Sequence, residues 1–199
     1  MYLNRSLSKD QMTTIGFIIP TVGRPTLART IDSLFRQTSP DWRAVVVFDG
    51  TDPNYETADP RVVVLRTPEK LGTANHAAHV RNYGAREIDS EWVGFVDDDD
   101  TLVEDYVERA LEAIRADAEM DVLIFRMRYD SGLVLPPVGW DHFEIQKVGI
   151  SFCLRRDVLL RNPFEPSGEE DFYLLDRCRS DGLRIVLSPH IAYLVRPPS

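Results

Sequence analysis

The stretch Trp92-Val93-Gly94-Phe95-Val96-Asp97-Asp98-Asp99-Asp100 joins an apolar run to four consecutive aspartates. The apolar run predicts a buried strand over 91–96. Adjacent carboxylates repel each other, so such a cluster needs a cation or protons to neutralise it. Mg²⁺ and Mn²⁺ favour oxygen ligands of this kind, especially where substrate phosphates complete the coordination. The stretch therefore predicts a metal site at the end of a strand, where ligands usually bind in α/β sheets.

A second interpretation of the aspartates is a solvated acidic loop that leads into the next helix. The following residues, Thr101 to Glu104, fit a capping box, in which a threonine and a glutamate satisfy the first amides of a helix. On this interpretation the acidic residues carry no chemistry.

Alternating strand and helix patterns surround the acidic stretch. Apolar runs predict strands at 14–19, 43–48, 62–65 and 91–96, and helical spacing predicts helices at 27–35, 74–86 and 103–114. This alternation predicts an α/β fold with a mostly parallel central sheet and helices on both faces. Beyond residue 120 the pattern loosens, with strands predicted at 122–129, 148–154 and 183–187 and a helix at 169–180.

The length of 199 residues predicts one domain, 1–199, that buries about 70% of its unfolded surface. A soft boundary near residue 120 divides it into a nucleotide-binding half, about 12–120, and a smaller substrate half, about 121–199.

The composition excludes several functional classes. A formal net charge of −9 argues against a nucleic-acid partner, which requires a basic face. No apolar run approaches the ~18 residues of a transmembrane segment, and Met1 to Asp10 lacks the apolar core of a signal peptide. The two cysteines, Cys153 and Cys178, show no metal-ligand spacing and predict reduced thiols in a cytoplasmic protein.

Two turns that follow predicted strands could contact a nucleotide. The turn from Pro20 to Pro25 contains a glycine and can offer backbone N–H groups to a phosphate, but it is neither a dinucleotide-binding nor a P-loop motif. An ordinary connection is the alternative. Asp49 could accept a hydrogen bond from a base or a ribose, or could instead form an Asx turn with Gly50.

Three further positions could carry charge-dependent chemistry. Arg81 could neutralise a diphosphate with its fork of donors, or could be a surface arginine. His76 and His79 have helical i,i+3 spacing, but no third ligand is spaced to complete a zinc site with them. Asp171 could be a general base at a helix start, or could be placed there only because the helix dipole favours an acid.

Seven short motifs, in this order, resemble those of the family 2 glycosyltransferases with the GT-A fold. They are Ile18 to Thr21 with Arg24, Ser33 to Thr38, Val45 to Gly50, Arg81 to Gly84, Phe95 to Asp100, Phe152 to Arg156, and Glu170-Asp171 with Arg177. The resemblance extends over about residues 14–187, nearly the whole chain.

The resemblance implies an inverting transfer of a sugar from a nucleoside diphosphate sugar, preferably a UDP sugar, to an unidentified acceptor hydroxyl, with Mn²⁺ or Mg²⁺ as cofactor. It implies that the donor is bound by Pro20, Thr21, Arg24, Asp49, Arg81, Asp97 and Asp98. Asp97 and Asp99 would form the D-x-D metal pair, with Asp98 as an alternative first acid. Asp171 would be the catalytic base. The first half would then bind the nucleotide sugar, and the second would bind the acceptor and supply the base.

Two departures from the family pattern affect the nucleoside pocket. Gly23 stands where the family commonly has asparagine, and Phe48 stands where it has an acid. Two rival functions also remain: a sugar-nucleotide pyrophosphorylase, which would have a more glycine-rich, basic loop after the first strand, and a nucleotide-binding protein without catalysis.

Overall fold

A computed structural model describes residues 13–73 and 76–196. Its strands are β1 (Ile15–Thr21), β2 (Trp42–Phe48), β3 (Val62–Arg66), β4 (Trp92–Phe95), β5 (Thr101–Leu102), β6 (Val122–Tyr129), β7 (Val134–Leu135), β8 (Phe152–Arg155) and β9 (Ile185–Val195). Its helices are α1 (Leu27–Phe35), α2 (Ala78–Glu87), α3 (Tyr106–Ala116), α4 (Arg156–Arg161) and α5 (Glu170–Ser180). None of the helices in these ranges is long and apolar enough to cross a bilayer.

One sheet runs through both halves of the chain, in the order β3-β2-β1-β4-β8-β6-β9-β5, with β7 on β6. The strands β3, β2, β1 and β4 are parallel, whereas β8 is antiparallel to both β4 and β6. The predicted α/β fold is confirmed, with one refinement: the sheet is parallel in the first half and mixed in the second.

The parallel strands are apolar because they are covered on both sides. Every residue of β1 is buried, and so are all four residues of β4. Helix α2 packs closely against this part of the sheet through Gly84. A Cβ atom at Gly84 would lie only 2.6 Å from Cγ2 of Ile18, so a larger residue would push the helix away from β1.

The capping-box interpretation of Thr101 to Glu104 is wrong. Thr101 and Leu102 form strand β5, which pairs with the end of β9, and α3 begins only at Tyr106. The acidic loop is therefore followed by a strand that connects it to the last strand of the sheet.

Two predicted strands in the second half have different bounds. The strand expected at 148–154 begins only at Phe152. The strand expected at 183–187 continues to Val195, although Pro189 interrupts its sequence. Register shifts in the pairing of β6 with β9 leave Pro189 in a bulge, where the missing N–H breaks no regular ladder. In the first half, the predicted helix 74–86 begins at Ala78, and positions 74 and 75 lie outside the described residues.

Candidate active site

A cleft of about 340 Å³ opens beside the ends of β1, β2 and β4. All nine site residues predicted from the sequence line it: Pro20, Thr21, Arg24, Asp49, Arg81, Asp97, Asp98, Asp99 and Asp171. Parallel strands end at the same edge of a sheet, which brings the turns after them together. Asp171 reaches the same cleft from α5, in the other half of the chain.

Two of the four aspartates fix the shape of the acidic loop. Asp98 is buried and accepts hydrogen bonds from Oγ1 of Thr21 at 2.6 Å and from Nη1 of Arg24 at 3.1 Å. Asp100 accepts from the hydroxyl of Tyr193 at 2.8 Å and from the backbone N–H of Arg196 at 2.8 Å. Burial raises the pKa of Asp100 to about 7, and the charge of Asp97 adds to the effect. These contacts fasten the loop to β1 and to the end of β9.

The other two aspartates, the predicted metal pair, form ion pairs with arginines. Oδ1 of Asp97 lies 2.6 Å from Nη2 of Arg81. Oδ2 of Asp99 lies 3.0 Å from Nε of Arg196 and 3.4 Å from Nη1 of Arg24. Each carboxylate uses one oxygen in these pairs, and no described residue hydrogen-bonds to its second oxygen.

The carboxylates of Asp97 and Asp99 suit a metal ion whose coordination is completed by a substrate. No group of three or more His, Cys, Asp or Glu side chains in the described ranges is arranged to hold a metal ion. Mg²⁺, by contrast, is commonly held by one or two carboxylates, with phosphates and waters completing an octahedron. Asp97 and Asp99, which both line the cleft, fit that second mode.

Asp49 holds the loop that forms another wall of the cleft. Its carboxylate accepts the backbone N–H groups of Leu71 at 2.6 Å and Gly72 at 3.0 Å. The N–H of Gly50 donates to Oγ1 of Thr67 instead, so the Asx-turn interpretation of Asp49 is wrong. Asp49 is 5% exposed and faces the cleft from beneath this loop.

Arg81 is a buried arginine, which excludes the surface interpretation. It is 5% exposed and forms ion pairs with Asp97 and, through a very short contact, with Glu170. Burial alone would lower the pKa of Arg81, but attraction to Asp97, Asp171 and Glu170 raises it, so the side chain stays charged. Arg81 thereby links the acidic loop to the start of α5.

Glu170 connects the two halves of the chain. Besides Arg81, its carboxylate accepts the backbone N–H groups of Ala77 at 3.2 Å and Ala78 at 3.1 Å, at the start of α2. A negative charge at a helix N-terminus satisfies free amides and interacts favourably with the helix dipole. Glu170 therefore caps α2 from the first turn of α5.

Asp171, the next residue, has a different environment. Its Oδ1 atom is buried and has no hydrogen-bond partner among the described residues. Burial raises the pKa of Asp171 to about 7; Arg81 opposes the shift, and Asp97 and Glu170 increase it. Asp171 also lines a second cavity of about 460 Å³, which shares Asp97, Asp99 and Arg196 with the cleft. A carboxylate with a pKa near neutrality, between two cavities, is suited to accept a proton.

Comparison with known proteins identifies the family of the chain. The family model described as "Glycosyl transferase family 2" matches residues 17–163. The chain belongs to glycosyl transferase family 2. An uncharacterized glycosyltransferase of Haemophilus influenzae is 26% identical over 113 residues, which are 55% of this chain and 37% of the relative.

Solved structures of similar fold include S. aureus TarS 1-349, with a TM-score of 0.71 and 17% identity over 92% of this chain and 60% of TarS 1-349. Another is a mannosyltransferase of Pyrobaculum calidifontis, solved with GDP-Man and Mn²⁺, with a TM-score of 0.68 and 18% identity over 93% of this chain and 57% of the other. This family 2 chain thus spans 37–60% of the length of these proteins.

The residues that sequence reasoning did not place in the family 2 cleft but that also line it include Gly72, His76, Glu170 and Arg196. Glu170 precedes the predicted base and belongs to the motif Glu170-Asp171. The motif did not predict that Glu170 caps α2. Arg196 follows an ordinary strand, and no local pattern distinguishes it.

Replacing Glu170 by glutamine tests the connection between the halves. The change keeps the size of the side chain but removes the charge that faces Arg81 and the start of α2. Because breaking a buried ion pair costs about 3–5 kcal/mol, we expect the melting temperature to fall by roughly 6–20 °C. Glu165→Gln is the matched control, since Glu165 is exposed and lies 3.6 Å from Arg177. A Glu170→Gln melting temperature equal to that of the control would contradict the capping role.

Proposed function

We propose that this chain is the catalytic GT-A domain of a metal-dependent, inverting glycosyltransferase that transfers a sugar from a nucleoside diphosphate sugar to an acceptor hydroxyl. The observation that carries the proposal is the position of Asp171. Its buried, unpartnered oxygen lines the same cleft as Asp97 and Asp99, with a pKa raised to about 7. A proton acceptor thus lies beside the carboxylates that would hold the donor.

The charge of the cleft supports a divalent cation. Among its described lining residues are six carboxylates (Asp49, Asp97, Asp98, Asp99, Glu170 and Asp171) and three arginines (Arg24, Arg81 and Arg196). A diphosphate entering this acidic cleft would be repelled unless a cation came with it. Asp97 and Asp99 would hold Mn²⁺ or Mg²⁺. When bound, the metal would supply Lewis-acid stabilisation to the departing diphosphate.

The nucleoside is proposed to lie against Thr21 and Asp49, with uracil as the preferred base. A carboxylate has about four lone-pair positions, and the amides of Leu71 and Gly72 use two of those on Asp49. Asp49 can therefore still accept the N3–H of uracil, whereas unprotonated N3 of cytosine has no proton to donate. TarS was solved with UDP and with UDP-GlcNAc, and the mannosyltransferase with GDP-Man.

Asp171 is proposed as the general base. The acceptor would enter from the second cavity, which meets the cleft at Asp97, Asp99 and Asp171. A carboxylate oxygen of Asp171 would take the proton of the acceptor hydroxyl as the hydroxyl oxygen attacks the anomeric carbon. The bond to the diphosphate breaks on the opposite side, so a single displacement inverts the configuration. A cytoplasmic location for this reaction stays a prediction from the sequence.

The proposal is tested by following sugar nucleotides by ¹H NMR in the presence of diamagnetic Mg²⁺ and a mixture of acceptor sugars and polyols. We expect a UDP sugar with an α anomeric bond to be consumed in preference to its CDP and GDP counterparts, and a β-linked product to form. A product with retained configuration would contradict the inverting mechanism. Conversion of UDP sugar and pyrophosphate to UTP would identify a pyrophosphorylase, and donor binding without turnover would identify a binding protein.

A further inference from the structure

We propose that Arg196 is an exchangeable counter-ion of Asp99: a divalent cation displaces its guanidinium group from the carboxylate, and the group then binds the diphosphate of the donor. The inference rests on the proposed function and assigns a role to a residue outside the motifs of the sequence. It predicts that metal and nucleotide bind cooperatively, and that Arg196 is a source of this coupling.

Two arginines neutralise the same oxygen of Asp99. Nε of Arg196 lies 3.0 Å from Oδ2 of Asp99, and Nη1 of Arg24 lies 3.4 Å from it. Arg24 comes from the turn before α1, and Arg196 follows the last strand. The guanidinium groups thus neutralise a carboxylate that is predicted to bind a metal.

The backbone of Arg196 is held by a hydrogen bond, whereas its side chain is largely exposed. Its N–H donates to Oδ1 of Asp100 at 2.8 Å, and Asp100 also accepts the hydroxyl of Tyr193. The φ angle of Arg196 is 42°, in the left-handed region that a side-chain-bearing residue adopts only where its surroundings enforce it. Its side chain, by contrast, is 76% exposed. The backbone contact thus keeps an exposed guanidinium beside the acidic loop.

Among the residues that the structure describes, the cleft has two other arginines that could meet a diphosphate, Arg24 and Arg81. Arg81 is 5% exposed and paired with both Asp97 and Glu170, so it cannot turn towards a ligand without breaking two buried contacts. The other two arginines that line the cleft, Arg24 and Arg196, have side chains that are 53% and 76% exposed. A guanidinium fork matches phosphate oxygens as well as it matches a carboxylate, so the exchange gives Arg196 an equivalent partner.

This exchange makes the two ligands interdependent. A cation that binds Asp99 alone takes up the negative charge that holds Arg196 and leaves the guanidinium without its counter-ion. When a diphosphate is present, the displaced group gains a partner, and the diphosphate oxygens also complete the coordination of the metal. Each ligand therefore strengthens the binding of the other by the same factor.

The test is a titration of Mn²⁺, followed by the electron paramagnetic resonance signal of the free ion, with and without saturating UDP. In Arg196→Ala we expect Mn²⁺ alone to bind about two- to fivefold more tightly, because an exposed competing ion pair has been removed. In saturating Mn²⁺ we expect UDP to bind about tenfold more weakly, because a charged hydrogen-bond donor is lost. Arg196→Asn repeats the test with a residue that tolerates a left-handed backbone.

Arg161→Ala is the matched control, since Arg161 is 65% exposed and paired only with Asp157 of its own helix among the described residues. Wild-type and Arg196 variants with equal Mn²⁺ and UDP affinities would overturn the inference and leave the proposed function intact. Weaker binding of Mn²⁺ alone in the variants would also overturn it. Failure of the wild-type protein to bind UDP with Mn²⁺ would overturn the proposed function and this inference together.

Discussion

Asp171→Asn is expected to lower the rate of sugar transfer by about two orders of magnitude or more. The acceptor hydroxyl is a poor nucleophile while it keeps its proton, and asparagine cannot take that proton. The substitution preserves the shape of the side chain, whose Oδ1 atom lies buried at the junction of the cleft and the second cavity. Initial rates measured with saturating donor and acceptor check the expectation.

The same variant is expected to fold and to bind the donor normally. The loss of a negative charge near Asp97 leaves UDP affinity unchanged or slightly improved. Glu169→Gln, two residues earlier in the chain, is the matched control and is expected to keep its activity. Near wild-type turnover in Asp171→Asn would show that the base lies elsewhere. Loss of UDP binding together with activity would show that Asp171 has a structural role.

The pH dependence of the wild-type protein follows from the environment of Asp171. Burial raises the pKa of this carboxyl from 3.8 to about 7, so it is protonated below that pH and can act as a base only above it. We therefore expect kcat/KM to rise with pH through about 7. The unfolded chain releases the same proton at a lower pH, so the wild type should lose stability relative to Asp171→Asn as pH rises from about 4 to about 7.

The arrangement of the first half could be predicted from the sequence because its strands are continuous apolar runs. The sheet buries Val45 to Phe48 and Trp92 to Phe95. Because both apolar runs are short, a buried strand is the simple interpretation of their patterns. The residues that follow such strands must lie at one edge of a parallel sheet. This explains why Asp49 and the acidic loop, which the family resemblance assigned to one site, line the same cleft.

The second half was harder to predict because long-range contacts determine it. Strand β9 continues past Pro189 only because a bulge in its pairing with β6 removes the need for an N–H there. Glu170 caps a helix that lies more than 90 positions earlier in the chain. Arg196 reaches Asp99 through the pairing of β5 with β9. None of these relations leaves a periodic signal in the local sequence.

The central claim is that Asp97 and Asp99 bind a nucleoside diphosphate through a divalent cation, and calorimetric titration with UDP tests it directly. We expect Mn²⁺ to increase UDP affinity at least about tenfold over EDTA, and Asp99→Asn to remove most of this increase, because two carboxylates and the phosphates complete one coordination shell. Asp157→Asn, at an exposed position of α4, should behave as wild type. Equal UDP affinity in Mn²⁺ and in EDTA, or full enhancement in Asp99→Asn, would contradict the account.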